Sequence, residues 1–188
     1  MIWHIFADFM TLFAATFITG LILIAWGLPF LKGGEKVRSQ AFALLRSQPA
    51  AIVLFGAASV WFLFHITQLG PADFGNWKNI LLAIFGVTAV GAFFFTPDFL
   101  PVRGLAGLIL LGAGPVLGAA YMRYEEPQRL LLVTVVYILV IAAMFIGTMP
   151  YLMRNLFEWL WAQPKRLKAF GVSFVATGAA LVIISFTY

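Results

Sequence analysis

Residues 130–152 read LLLVTVVYILVIAAMFIGTMPYL, and no charged side chain interrupts them. A helix needs roughly 20 mostly apolar residues to cross the hydrocarbon core of a bilayer. Pro150, near the end of this run, marks its exit. Five more segments meet the same test: about 5–28, 50–68, 77–96, 104–122 and 167–187. Breaks fall where helix breakers sit. Pro29 with Gly33 and Gly34 closes the first span. Gly70, Pro71 and Gly75 separate the second from the third. Pro97, Pro101 and Gly104 make the next turn, and Glu125, Glu126 and Pro127 the one after. Pro164 opens the last span. The expected fold is an all-α, polytopic transmembrane bundle of six spans, in one membrane domain covering residues 1–188.

Composition agrees. The chain is 63% hydrophobic and only 10% charged, where a soluble domain carries about 25% charged residues. It has no long polar segment that would form a soluble domain. With no cysteine, disulfide frameworks, thiolate metal sites and iron–sulfur clusters are excluded. The opening residues lack a basic stretch and the apolar run continues far past them, so a cleaved signal peptide is not expected.

The net charge of +5 would suggest nucleic acid in a soluble protein, but here the basic residues gather in loops. Lys32, Lys36, Arg38 and Arg46 fall in the first loop, Arg103 at the third, and Arg154, Lys165, Arg166 and Lys168 around the fifth. The other side holds Lys78, Arg123 and Arg129. The positive-inside bias makes the odd loops cytoplasmic and both termini external. Trp3, Trp77, Tyr121, Tyr124 and Tyr188 then mark the outer boundary, and Trp26, Trp159 and Trp161 the inner one. The expected surroundings are a bilayer, with other membrane subunits or a second copy as partners, and no nucleic acid.

Two loops read as more than turns. Met153, Leu156, Phe157, Leu160 and Trp161 follow helical spacing, with Arg154 and Glu158 paired on another face. That predicts a short amphipathic helix on the membrane surface. Residues 35–47 read the same way.

A repeat accompanies these loops: QPAAIVLFG at 48–56 and QPKRLKAFG at 163–171. Each copy follows a basic surface stretch and opens a span. The context suggests a parallel repeat, 5–68 and 130–187, around a central hairpin at 77–122. Pro49 and Pro164 suit a first helical turn, where the missing N–H has no partner to lose. Gly56 and Gly171 are expected to be notches where another helix approaches. No acid, base or metal ligand is shared, so the repeat is architectural. In the fourth span Gly114 and Gly118 form a GxxxG, and Pro115 is expected to kink the helix. Tight packing is the favoured reading, a hinge or substrate-lining break the other.

Ionisable residues inside spans are functional candidates. His4 and Asp8 lie one turn apart, and His65 sits near the outer end of the second span. They form the candidate polar or ion site, although no diagnostic metal-ligand spacing is present. Axial haem ligation by His4 and His65 would need similar depth on facing helices. Asp98 and Arg103 flank a short turn and read as a local charge pair or a lipid-headgroup contact. Metalloprotease, serine-hydrolase and phosphate-loop signatures are missing, so the sequence leans away from an enzyme.

The run PDFLPVRGLAGLILL…AAYMRYEEPQRLLLV resembles bacterial polytopic inner-membrane proteins of unknown function. QPKRLKAFGVSFVATGAALVIISF is similar to the second helix of very small two-helix inner-membrane proteins. The resemblance implies a bacterial inner-membrane location and carries no site residues. The expected role is a non-catalytic packing or partner-binding module. A small transporter or ion conductor would need Asp8, Thr11, Thr16, Thr19 and the Pro115 kink around one cavity. A haem- or quinone-binding redox subunit would use His4 and His65.

Overall fold

The computed structural model describes residues 11–188. They form eight helices and no strand. These are α1 (Leu12–Lys32), α2 (Glu35–Leu44), α3 (Gln48–Thr67), α4 (Lys78–Phe95), α5 (Leu100–Ala120), α6 (Arg129–Thr148), α7 (Tyr151–Trp161) and α8 (Pro164–Ser185). Six of them, α1, α3, α4, α5, α6 and α8, are long and apolar enough to span a membrane. The short α2 and α7 occupy the first and fifth loops, as their spacing predicts.

Local chemistry fixes most helix ends. Thr11 caps α1, its hydroxyl accepting the Ala14 N–H at 3.1 Å. Ser47 caps α3, accepting the Ala50 N–H at 3.4 Å. Pro49 and Pro164 stand in the first turns of α3 and α8. One expected stop moves: α1 does not end at Pro29 but runs through it to Lys32. A proline costs a span little when neighbouring helices shelter the freed carbonyl. The stop comes from Gly33 and Gly34, whose φ of 60° and 89° other residues adopt at a penalty. The Gly33 N–H closes the end on the Pro29 carbonyl at 3.0 Å.

Apolar burial does not hold helices together in lipid, because the tails are as apolar as leucine; close packing does. The tightest pair here is α1 against α8, the first span and the last. Gly20 and Gly27 lie seven residues apart on α1, and Gly171 and Gly178 seven apart on α8. The two pairs meet in antiparallel register. A methyl placed on Gly20 would lie 2.7 Å from the Gly178 carbonyl oxygen, and one on Gly178 2.6 Å from that of Gly20. A methyl on Gly27 would lie 3.0 Å from the Gly171 carbonyl. Thr16 and Ser185 are fully buried. Their hydroxyls donate to the Leu12 and Val182 carbonyls of their own helices.

The second stack is α3 on α5 and α5 on α6. Gly104 lies directly on the Leu54–Phe55 backbone, and Gly147 faces the Ala106 methyl. Thus α5 is central and also touches α1. Leu12, Leu23, Ala113, Leu132, Val136 and Leu181 form the core where α1, α5, α6 and α8 meet. By contrast α4 buries no residue. It leans on α3 through ring contacts, Phe93 on Phe55 at 5.5 Å and Phe85 on Phe62 at 5.1 Å.

A second core lies at the basic end of the bundle, built from Phe30, Leu45, Val102, Met153, Phe157, Leu160 and Leu167. It joins the first, third and fifth loops, so the odd loops do share one end. Met153, Phe157 and Leu160 of α7 are buried, and Leu156 and Trp161 are half-buried. On its exposed side Arg154 Nε donates to Glu158 Oε1 at 2.7 Å. The amphipathic face therefore covers the bundle.

Candidate functional site

The sequence candidates separate. His4 and Asp8 lie outside the described residues. His65, in the last turn of α3, is half-buried. Its ring lies 6.3 Å from that of Trp61, nearly parallel, and 6.4 Å from that of Phe64. Among the described residues no three His, Cys, Asp or Glu side chains gather as metal ligands. Gly114, Pro115 and Gly118 are half-buried within α5, which continues through Pro115 as one helix. The hydroxyls of Thr16 and Thr19 donate to backbone carbonyls one turn back.

The repeat glycines part company. A methyl on Gly171 would lie 2.9 Å from the backbone nitrogen of Leu31 in α1. One on Gly56 would meet nothing within 4 Å among the described residues, so Gly56 is not the expected notch there. The reason is angular. α3 buries Ala51 and Ala58 along one stripe. At about 100° per residue, Gly56 is turned away from both.

The expected Asp98–Arg103 pair also fails. Asp98 instead lies 3.9 Å from Arg46, both side chains being largely exposed. The Arg46 guanidinium stands 5.1 Å from the Phe99 ring.

Two clefts lie between helices of the described residues, and no sequence pattern points to either. The larger lies at the basic end, between α1 and α3, with α2 as its roof and the start of α5 as its floor. Its volume is about 730 Å³, within the roughly 300–1,000 Å³ of small-molecule sites. Trp26, Phe30, Leu54, Val102 and Phe157 form its walls, and Gln40 and Ser47 add side-chain amide and hydroxyl groups. Ala25, Pro29, Leu44 and Val53 also line it and are exposed, so they mark a lateral mouth. Around Phe30 an aromatic cluster stiffens the inner wall. Phe170 lies 5.1 Å from it, Trp161 5.6 Å and Phe157 6.2 Å.

The smaller cleft, about 470 Å³, lies between α4 and α5 on a backing of α3. Neither cleft is lined by Thr11, Thr16, Thr19 or Pro115. Missing both was physical rather than accidental. Each is a gap between helices that share no extended face, which no local pattern records. The glycine seam was legible, had the seven-residue spacing of Gly20–Gly27 been set beside that of Gly171–Gly178.

Compared with known proteins, the chain matches no family model, no curated protein and no solved structure.

Proposed function

We propose that this protein is a non-catalytic membrane module that holds a lipid-like, chain-shaped apolar molecule in the groove beneath α2. One observation carries the reading: the 730 Å³ groove is walled by apolar side chains, with exposed residues along its mouth. A lateral opening between spanning helices, at Ala25 and Val53 within about two turns of their basic ends, faces bilayer rather than water, which selects ligands already dissolved in lipid. The amide of Gln40 and the hydroxyl of Ser47 suit a small polar end of such a molecule. The basic residues at the same end support an orientation with the groove in the cytoplasmic leaflet and both termini outside. A reporter fused after Tyr188 should then be active outside the cytoplasm, and cytoplasmic activity would reverse the orientation.

The binding test uses purified protein and a photoactivatable long-chain fatty acid. Crosslinks should map to α1, α2 and α3 around the groove. Val53→Trp fills the mouth from an exposed position, and it should abolish those crosslinks without lowering thermal stability. Equal labelling of Val53→Trp and wild type would overturn the proposal.

A further inference from the structure

The smaller cleft differs from the groove in one respect: a charge stands at one end of it. Arg103 is the fourth residue of α5 and, among the described residues, the only charged one lining the cleft. It is half-buried, and among the described residues its side chain has no ion pair, hydrogen bond or ring contact. Asp98, the nearest acid along the chain, is engaged with Arg46. Stability does not account for an arginine here. A cation in the first turns of a helix opposes the helix dipole.

The rest of the cleft is a trough leading away from that charge. Along α5 its lining runs from Arg103 through Gly107 to Leu110 and Leu111, and along α3 from Phe55 to Leu63. Eight residues of helix cover about 12 Å. The third wall is α4, from Ala92 back to Phe85. It leans on α3 and shares no extended face with α5, so the trough opens sideways. Only Ser59 and Thr88 add hydroxyls to the lining. The Thr88 proton is already given to the Ile84 carbonyl at 2.8 Å.

We propose that this cleft binds an anionic phospholipid, its phosphate on Arg103 and one acyl chain along the trough. The charge order fits: the cation sits at the basic end, level with a headgroup region, and the apolar lining extends toward mid-membrane. A phosphodiester supplies the missing anion and two acceptors matched to the guanidinium fork. The site goes beyond the groove reading. It uses different residues throughout, apart from the shared body of α3 and α5, so either proposal survives failure of the other.

The experiment is native mass spectrometry of the full chain with phosphatidylglycerol and phosphatidylcholine added separately. Wild type should prefer phosphatidylglycerol at one site. Arg103→Ala should cut that preference about tenfold, the effect of losing a charged hydrogen bond. Arg103→Lys should restore part of it. Leu110→Trp, which fills the trough and leaves the charge, should weaken both lipids. Because Arg103 has no side-chain partner among the described residues, Arg103→Ala should melt no lower than wild type in a zwitterionic detergent. An unchanged preference in Arg103→Ala would overturn the proposal. So would a marked fall in its melting temperature, which would mean an internal partner. If Leu110→Trp binds phosphatidylglycerol normally, or inorganic phosphate competes at millimolar concentration, the site is a simple anion site and the lipid assignment is wrong.

Discussion

Residues 48–56 and 163–171 carry the same Gln-Pro and Phe-Gly at the same spacing, and both open a spanning helix. Each follows a short helix at the basic end. Yet Gly171 is pressed against Leu31 of α1, and a methyl on Gly56 would meet no atom of the described residues within 4 Å. The copies share a backbone instruction and differ in packing. Proline in the first turn acts within its own helix, so it works the same way twice. Glycine as a notch acts only if another helix passes that face. α8 has α1 along its glycine face, whereas α3 meets α5 along the Ala51–Ala58 stripe. There it is α5 that contributes the small residue, Gly104.

That contrast is open to attack by substitution, and the largest effect belongs to the seam itself. Gly178→Leu places a side chain where even a methyl would lie 2.6 Å from a carbonyl oxygen. Overpacking typically costs about 1–3 kcal/mol, and this backbone-on-backbone site should reach or exceed the upper end. Folded yield in detergent should fall sharply. Gly171→Leu should follow at about 1–3 kcal/mol, since the Leu31 side chain can move although its backbone nitrogen, 2.9 Å from such a methyl, cannot. A drop for Gly178→Leu no larger than for Gly171→Leu would mean that the seam is looser than described.

The caps sharpen the comparison in the opposite direction. Ser47 bonds the start of α3, but Gln163, at the start of α8, makes no side-chain cap bond. Ser47→Ala should lower stability by about 0.5–1 kcal/mol, the lower part of the N-cap range, and Gln163→Ala should leave thermal melting unchanged. Smaller still is the surface pair of α7. Arg154 and Glu158 are both about half exposed, and such i,i+4 pairs contribute roughly 0.3–0.5 kcal/mol. Arg154→Ala should shift melting by about 1–2 °C, as expected for a chain of this size. A larger shift would show that α7 anchors the bundle through charge, not through Met153, Phe157 and Leu160.

Much of the fold was legible because it rests on local rules. Span number follows from apolar run length, and α7 follows from 3.6-residue periodicity. Pro29 misled because breaker rules come from helices in water, where a freed carbonyl needs solvent. Here the double glycine is the stronger stop. Gly56 misled because a repeat in sequence fixes a residue's place on its own helix but not which neighbour lies beside it. Asp98 was assigned to Arg103 by nearness along the chain, while Arg46 reaches it across the end of the bundle. The candidate site was the least legible part. The clefts belong to pairs of helices that share no extended face, α1 with α3 and α4 with α5, and no residue pattern announces a gap.

The most direct test is to measure Gly56→Leu and Gly171→Leu side by side by thermal unfolding in one detergent. Both glycines lie well inside a spanning helix and change to the same residue, so intrinsic helix propensity contributes about equally to both and cancels in the comparison. With one copy packed and the other open, Gly171→Leu should melt several degrees below wild type and Gly56→Leu within about 0.5 kcal/mol of it, the range of a surface substitution. Equal losses in the two variants would mean that α3 has a packed partner at Gly56 and that the two copies are equivalent, contradicting the account.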